Sequence, residues 1–231
     1  MKSIRVKKVI DLRDYAASAR ATNDWLTGRA APVFSDHGAL VTAFAPNGGG
    51  RVTSMPADEF VMALSGELAF RGSGDTVVIG AGQSAVLPAG LSFEWRASGA
   101  TKAVVMACPT TSVRTMDVVP IDADASLVPS SPPLAELLVG PTPACRNHAD
   151  FRSVSGEFVC GTWDSTPYHR RPMVYRHIEL MHLLDGAVTL EDSGGSVSFS
   201  RGDTLLCARG AECAWISEVH VKKVYATHRP A

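Results

Sequence analysis

The chain has 231 residues, of which 45% are hydrophobic, so it can build a packed core and extended disorder is excluded. Its 22 basic and 23 acidic residues give a formal charge of −1, which disfavours nucleic acid and anionic membranes as partners. No apolar run approaches the roughly 18 residues of a spanning helix, and the charged segment Met1 to Ile10 does not have the pattern of a secretory signal. The five cysteines include no Cys-x-x-Cys pair, so disulfide frameworks and zinc knuckles are disfavoured and a cytoplasmic location is expected.

The segment before the first long apolar run is expected to act as an arm. Residues 14–26 are predicted to form a short helix that ends before Gly28. The sequence around Val9 is weakly similar to that around Ile121, in the proline-rich connector between the two halves of the chain. We therefore predict that both segments add an edge strand to the module that follows them. A second short helix is predicted within residues 131–140 of the connector.

An internal repeat organises the rest of the sequence. Residues 59–66 match residues 179–186 at an offset of 120 residues. The same offset, without a gap, relates further glycine, valine, tryptophan and lysine residues of the two halves: Gly74 and Gly194, Val77 and Val197, Gly82 and Gly202, Gly90 and Gly210, Trp95 and Trp215, Lys102 and Lys222, and Val104 and Val224. This period is too long for a solenoid repeat, so each half is predicted to be one module.

Short strands with glycine-rich turns are predicted in each module, as is typical of an antiparallel sandwich or barrel. The first module has predicted strands at 60–64, 67–70, 76–79, 84–87, 92–96 and 102–107, and the second repeats them. The predicted domains are an N-terminal arm (1–38), a first barrel (39–108), a linker and edge-strand arm (109–155) and a second barrel (156–231).

The motifs of both modules resemble those of the cupins, which have Glu-x6-Gly followed by Gly-x5-Pro-x-Gly. The first module has Glu59 to Gly66 and Gly82 to Gly90, and the second has the corresponding residues 179–186 and 202–210, with alanine in place of the proline. The stretch Gly-Thr-Trp-Asp-Ser-Thr-Pro at 161–167, together with Trp215 and the Val-Lys-Lys-Val-Tyr run at 221–225, is similar to the (S)-ureidoglycine aminohydrolase cupin family. The resemblance covers residues 39–107 and 159–227. It implies an all-β chain of two tandem jelly-roll barrels, each with a central pocket, and a homodimer.

The resemblance also indicates which positions would bind a metal. In the first barrel these are Thr53, Met55, Glu59 and Phe93, where metal-binding cupins have two histidines, a glutamate and a late histidine. In the second barrel they are Met173, Tyr175, Glu179 and Cys213. Because a thioether, a phenol and a thiol are poor ligands for manganese, we predict neither a metal nor another cofactor. The alternative is a divalent manganese, zinc, iron or nickel ion held by Glu179 with His177, Tyr175 and Cys213.

The inward positions of the strands give the candidate ligand pockets. The first is predicted to be lined by Glu59, Phe93 and Trp95, and the second by Tyr175, His177, Glu179, Cys213 and Trp215.

Each of these groups also has a purely structural interpretation. The glutamates are either pocket carboxylates with a raised pKa or partners of an arginine or of solvent, and the tryptophans either stack on a flat ligand or fill the core. Cys213 is either a nucleophile or a buried thiol. The basic run His169–Arg171 is either a rim that attracts an anion or a solvated loop, and at least one residue of the pair Lys222–Lys223 is expected to be exposed or paired.

Three hypotheses for the function follow. The first is a protein that binds a small polar or anionic metabolite in a metal-free barrel. The second is a metal-dependent hydrolase of a ureido or amide compound, in which Glu179 and His177 would be the best candidates for catalytic residues. The third is a scaffold whose barrels serve only to form a dimer.

Overall fold

The computed structural model describes residue 6, residues 8–110 and residues 116–230, so part of the charged N-terminal segment and of the connector lies outside it. The described residues form β-strands almost throughout, and the predicted all-β fold of tandem jelly-roll barrels is confirmed. They also contain one α-helix, α1 (Leu12–Ala16), and one 3₁₀ helix (Ala135–Leu137), neither of them long and apolar enough to cross a membrane. The strands are β1 Val9–Asp11, β2 Ala21–Thr22, β3 Phe34–Asp36, β4 Ala39–Pro46, β5 Gly49–Val52, β6 Asp58–Arg71, β7 Thr76–Gly80, β8 Ser84–Leu87, β9 Phe93–Cys108, β10 Val119–Pro120, β11 Val128–Ser130, β12 Leu138–Val139, β13 Cys145–Arg152, β14 Phe158–Ser165, β15 Tyr168–Val174, β16 Ile178–Asp185, β17 Ala187–Asp192, β18 Gly195–Ser200, β19 Thr204–Cys207, β20 Glu212–Ser217 and β21 Val221–His228.

The described residues divide into two compact units, each built around one repeat. The first-barrel unit contains residues 12–121 and 150–160, and the second-barrel unit contains the described residues of 1–11 together with 122–149 and 161–229. Neither unit is continuous in sequence, because short segments from outside each repeat join its sheets.

The first-barrel unit is built on a nine-stranded sheet in which β6 pairs with β8 on one side and with β9 on the other. The sequence predicted that β6 and β9 would each be two separate strands. Instead each runs without a break, and the register between them shifts on both sides of Ser65. The adjacent Gly66 has φ of +68°, a conformation that glycine adopts without steric cost, so the strand bends here rather than ending.

The second-barrel unit has two sheets that enclose a hydrophobic interior. One has the strand order β1-β19-β16-β21-β14-β13-β11, and the other has the order β12-β15-β20-β17-β18. Apolar side chains from both sheets fill much of the interior, among them Met181 from β16, Leu190 from β17 and Leu205 from β19. The side chains of the candidate site come from β14, β15, β16, β20 and β21 and from the loop between β15 and β16.

Both arms add strands to the module that follows them, as predicted: β2 and β3 pair with β4, and β12 pairs with β15. Each arm also adds one strand to the other repeat. The N-terminal β1 pairs with β19 in the second-barrel unit, and the connector strand β10 pairs with β8 in the first-barrel unit. An unpaired strand edge presents free backbone donors and acceptors to any chain that can reach it, so sequence proximity alone did not decide these two pairings.

Both helices are shorter than predicted. The helix expected over residues 14–26 ends at Ala16, because the following backbone pairs with β4 instead: Ala45 N donates to the carbonyl of Arg20 at 3.1 Å, and Asn47 N donates to that of Thr22 at 2.8 Å. The helix expected within residues 131–140 is reduced to the single 3₁₀ turn that precedes β12.

The conserved spacing of glycines within the repeat has a local steric cause at Gly186. This residue has φ of +77°, and a β-carbon placed on it would collide with the carbonyl oxygen of His220. Gly202 also has a positive φ, +90°, but a β-carbon there would meet no atom within 4 Å.

We predict that Gly186→Ala destabilises the protein more than Gly202→Ala. The left-handed conformation alone costs an alanine roughly 1–2 kcal/mol, and at Gly186 the overlap with the carbonyl oxygen adds to this cost. The free energies of unfolding of both variants, measured by urea denaturation, test the prediction. Equal losses of stability in the two variants would contradict it.

Candidate ligand-binding site

The glutamate of the cupin-like motif is paired with a protein cation in both barrels. In the first barrel, Arg29 binds Glu59 through two contacts, Nη1 to Oε2 at 2.6 Å and Nη2 to Oε1 at 3.0 Å. In the second barrel, Lys223 Nζ lies 2.8 Å from Glu179 Oε1. A charge taken out of water is stable only when it is paired, so each cation is a condition for burying its glutamate.

Trp25 fills the interior of the first barrel beside this ion pair. Its side chain is 1% exposed, and its Nε1 donates to Glu59 Oε1 at 2.9 Å. Its ring meets Phe44 and Phe93 edge to face, with centroids 5.0 and 5.9 Å apart, and lies 5.6 Å from that of Trp95. The structure thus brings together the three residues predicted to line the first pocket, and the side chain that lies among them is Trp25.

Arg29 packs against Trp25, and we call these two side chains the plug of the first barrel. Its Nε and Nη2 donate to the carbonyl oxygen of Trp25, and its guanidinium lies 5.0 Å from the centre of the Phe44 ring. The Glu59 side chain is only 3% exposed as a result. The structure therefore agrees with the interpretation of Glu59 as the partner of an arginine.

The cation of the second barrel lies between aromatic rings. Lys223 Nζ is 4.7 Å from the centre of the Trp163 ring and 5.0 Å from that of Trp215. It also contacts Met181 Sδ at 3.0 Å, and the Lys223 side chain is 7% exposed. The electron-rich ring faces attract the ammonium group and replace part of its lost hydration. Of the two adjacent lysines, Lys223 is therefore the inward one, while Lys222 is half-buried with Asp124 at 3.8 Å.

Glu179 is held in its charged form. Burial alone would raise the pKa of its carboxyl, but the charge of Lys223 and a hydrogen bond from His177 outweigh burial and hold that pKa well below its usual range. The His177 Nε2 lies 3.5 Å from Glu179 Oε2, while Arg229 Nη2 lies 3.4 Å from His177 Nδ1. Since an arginine only donates, Nδ1 is the acceptor in this contact, and Nε2 is the ring nitrogen that faces Glu179. The raised pKa considered for this glutamate is therefore wrong.

Aromatic side chains form one wall of the second barrel. Tyr168 stacks on Trp215, with ring centroids 5.9 Å apart and an interplanar angle of 11°, and Trp163 meets Trp215 edge to face at 6.2 Å. Tyr168 and Trp163 are half-buried. Burial raises the pKa of the Tyr168 phenol, which is therefore neutral.

Arg170 is buried inside the barrel, which differs from both predictions for its basic run, a rim that attracts an anion or a solvated loop. It lies on β15 directly opposite Trp215 of β20, so the two side chains share the inner face. The Arg170 side chain is 5% exposed, with its guanidinium 5.4 Å from the centre of the Tyr175 ring and its Nη2 donating to the carbonyl of Cys213 at 3.2 Å. Within the part of the chain that the structure describes, its buried Nε has no hydrogen-bond partner.

The thiol of Cys213 is buried and forms a pair with that of Cys207. A hydrogen bond from Cys207 lowers the pKa of Cys213, burial opposes this, and the charge of Arg170 lowers it further. The same hydrogen bond, together with burial, raises the pKa of Cys207 well above its usual value. Because Cys213 is fully buried, no reagent in solution reaches it in this conformation.

The residues of the second site form a closed series of contacts, which we call the interior ring. Arg170 lies over Tyr175, whose ring centre is 5.4 Å from that of His177; the series continues through Glu179 and Lys223 to Trp215, which faces Arg170. The predicted second-pocket residues other than Cys213 all belong to this ring. Solvent reaches it, since the Glu179 side chain is 15% exposed against 3% for Glu59.

The donor groups of the second barrel do not fit a divalent metal. Lys223 already neutralises Glu179, and burial raises the pKa of Tyr175 well above its usual value, so the phenolate is not available as a ligand. Within the described residues, no three histidine, cysteine or acidic side chains converge as a metal site requires. The chemistry that these groups support is the binding of a ligand by charge, hydrogen bonds and ring faces.

Sequence reasoning missed several residues of the two sites. Trp25 lies in the segment expected to be helical and Arg29 lies just after it, and the available signal was a tryptophan within the arm. For Trp163 and Tyr168, strand alternation across residues 161–170 was the available signal. Arg170 was noticed, but its inward orientation depends on the register of β15 with β20, which a single sequence does not reveal.

Comparison with protein families agrees with this architecture. Residues 40–109 match the model of the cupin domain, and residues 152–225 match that of the EutQ-like cupin domain. The chain carries two cupin domains. None of the curated proteins matches this bicupin significantly.

Solved structures show the same tandem fold. A protein of unknown function of the DUF861 family from Pseudomonas syringae pv. tomato is 29% identical, with a TM-score of 0.83 over 89% of this chain and 88% of that one. A cupin 2 conserved barrel domain protein from Leptotrichia buccalis is 12% identical, with a TM-score of 0.61 over 98% and 99% of the two chains. Protein YlbA from E. coli, also of the DUF861 family, is 12% identical, with a TM-score of 0.56 over 100% and 96%. At 12% identity, the last two show the fold alone.

We predict that Trp25→Ala strongly destabilises the bicupin. Removing a fully buried indole from a core typically costs about 3–5 kcal/mol, and here Glu59 also loses a hydrogen bond. Trp163→Ala is the control and is expected to cost less, because Trp163 is half-buried. Urea denaturation followed by circular dichroism measures both. A Trp25→Ala variant as stable as the native chain would show that the indole is not part of the first core.

We predict that Lys223→Met raises the pKa of Glu179 and destabilises the protein at neutral pH by about 3–5 kcal/mol, because it leaves a buried carboxylate without its cation. In the native chain, the stability contributed by Glu179 is present above the unfolded-state pKa of about 4.3 and is lost as pH falls through the lower folded-state pKa. In the variant the folded-state pKa is raised, so its deficit relative to the native chain shrinks as pH falls.

Carboxyl-carbon NMR titration and unfolding at pH 3–7 test this pair of expectations. Lys222→Met is the control, and its loss should not exceed about 1 kcal/mol, since Lys222 faces a fully exposed aspartate. A deficit of Lys223→Met that does not change with pH would argue against the pairing.

Proposed function

We propose that this bicupin binds a small anionic metabolite in the interior of its second barrel, without a metal. The observation that carries the proposal is the charge of the interior ring. The ring contains two cations, Lys223 and Arg170, and one carboxylate, Glu179, which is paired with Lys223. Among the described residues, no ion pair joins Arg170 to an acidic side chain. An anion inside this barrel would balance the remaining positive charge.

The second barrel is a better candidate than the first because its interior is accessible. In the first barrel, Trp25 and Arg29 fill the space beside Glu59 and satisfy its carboxylate. In the second barrel, Glu179, Trp163 and Tyr168 are all partly exposed. The interior of the first barrel is therefore filled by protein side chains, whereas residues of the second site remain partly exposed to solvent.

The state of Glu179 supports binding over catalysis. An efficient general acid or base has a pKa near the working pH, whereas Lys223 and His177 hold the pKa of Glu179 far below it. The resemblance to the (S)-ureidoglycine aminohydrolase family does not extend to the metal-ligand positions. We therefore extend its fold, but not its reaction, to this chain.

Thermal unfolding with matched anions, cations and neutral compounds tests the proposal. Acetate and benzoate are expected to raise the melting temperature with concentration, because a ligand that binds only the folded state stabilises it by about 2.7 kcal/mol at 100 times its Kd. Methylammonium and benzamide are expected to have no effect. An equal response to neutral and anionic compounds would rule out the charge-based site.

Two variants locate the site, since each removes the cation of one barrel. Lys223→Met should reduce the response to the anions, whereas Arg29→Met should lower the basal stability but leave the response unchanged. Loss of the response in Arg29→Met alone would place the site in the first barrel and overturn the proposal.

A further inference from the structure

Within the proposed function, on which this inference rests, we infer that the ligand is a planar monocarboxylate and that Arg170 is the residue that binds its carboxylate group.

The first argument is the incomplete bonding of Arg170. A buried polar group without a partner is costly, and such groups in native proteins usually have a function. The Nε of Arg170 is buried and has no hydrogen-bond partner among the described residues, while its guanidinium lies over the Tyr175 ring and donates to the carbonyl of Cys213. The guanidinium therefore retains hydrogen-bonding capacity directed into the barrel.

The second argument is the difference between the two cations of the interior ring. Lys223 is engaged by Glu179, Met181 and two tryptophan rings, so it offers little to a ligand. Arg170 is planar and presents its donors as a fork that matches the two oxygens of a carboxylate. The ligand anion is thus expected at Arg170.

The third argument concerns the charge of the ligand. Glu179 is paired with Lys223, and Arg229, which contacts His177, is exposed to solvent. The buried arginine charge that remains is that of Arg170. A monoanion cancels it, whereas a phosphate dianion would leave a buried negative charge without a partner.

The fourth argument concerns the shape of the ligand. Trp163 and Tyr168 are half-buried, and their flat rings are held in place by Trp215. A flat body packs against such faces with more contact than a branched or flexible one, and it loses little conformational freedom. Together with the charge, this selects a small planar acid.

Isothermal titration calorimetry on the full chain, with benzoate as the probe, tests the inference. Benzoate should bind the native protein, and benzamide and inorganic phosphate should bind at least roughly tenfold more weakly. Arg170→Gln should weaken benzoate binding roughly tenfold or more, as expected for the loss of a charge-assisted hydrogen bond. The matched control Arg201→Gln removes the same charge from the exposed turn after β18 and should leave benzoate affinity unchanged.

A stability measurement separates binding from a structural role. If Arg170 is kept for a ligand, the ligand-free Arg170→Gln protein should melt at or above the native temperature, because an unpaired buried charge has been removed. Arg170→Lys, which keeps the charge but loses the fork, should also weaken benzoate binding and provides the test if the glutamine variant does not fold. A lower melting temperature with unchanged benzoate affinity would assign Arg170 a structural role and overturn the inference.

The remaining outcomes separate this inference from the proposed function. Benzoate binding that survives in both Arg170 variants but is lost in Lys223→Met would reject Arg170 as the anchor and keep the anion site. Phosphate binding tighter than benzoate would reject the planar monocarboxylate and likewise keep the anion site. If neither benzoate nor phosphate binds the native chain at millimolar concentration, both proposals are overturned.

Discussion

The structure of this bicupin depends on the neutralisation of a buried glutamate by a cation that the protein itself supplies. Each barrel retains the motif glutamate, and a carboxylate inside a β-barrel is stable only beside a positive charge. Metal-binding cupins have imidazoles near this glutamate and a metal ion between them. Here Arg29 and Lys223 provide the positive charge instead, and both lie over aromatic rings that compensate for lost hydration.

The origin of each cation determines whether its barrel is open. Lys223 projects from the wall strand β21, so it neutralises Glu179 without bringing in further chain. At the equivalent position of the first repeat, 120 residues earlier, the chain has Ala103, which carries no charge. The first barrel therefore takes its cation from the N-terminal arm, and Trp25 enters with Arg29 and fills the interior. One side-chain difference between the repeats thus accompanies one plugged and one accessible barrel.

This arrangement also explains why Arg170 is the unusual residue of the second barrel. Since the charges of Lys223 and Glu179 neutralise each other, this pair adds no net charge to the site. Arg170 has neither an acidic partner nor a hydrogen bond to its buried Nε among the described residues, so it destabilises the ligand-free fold. In a binding protein, the interaction of the ligand with such a group can offset the stability that the ligand-free fold loses. This offset is the physical link between the fold and the proposed function.

Local chemistry determined the repeat, the strands, the glycine turns and the two-barrel fold, because alternation and positive φ depend on near neighbours in sequence. The inward positions of Glu59, Glu179, Trp95 and Trp215 followed from the same alternation. The tertiary structure decided which charges meet, since Arg29 and Lys223 reach their partners across 30 and 44 residues. It also decided the pairing of the arms. Residues 20–22 pair with β4 instead of continuing a helix, while β1 pairs with β19 of the second repeat and β10 with β8 of the first. Such pairings depend on which backbone edges and buried charges are left without partners, and these are properties of the assembled barrel rather than of any segment.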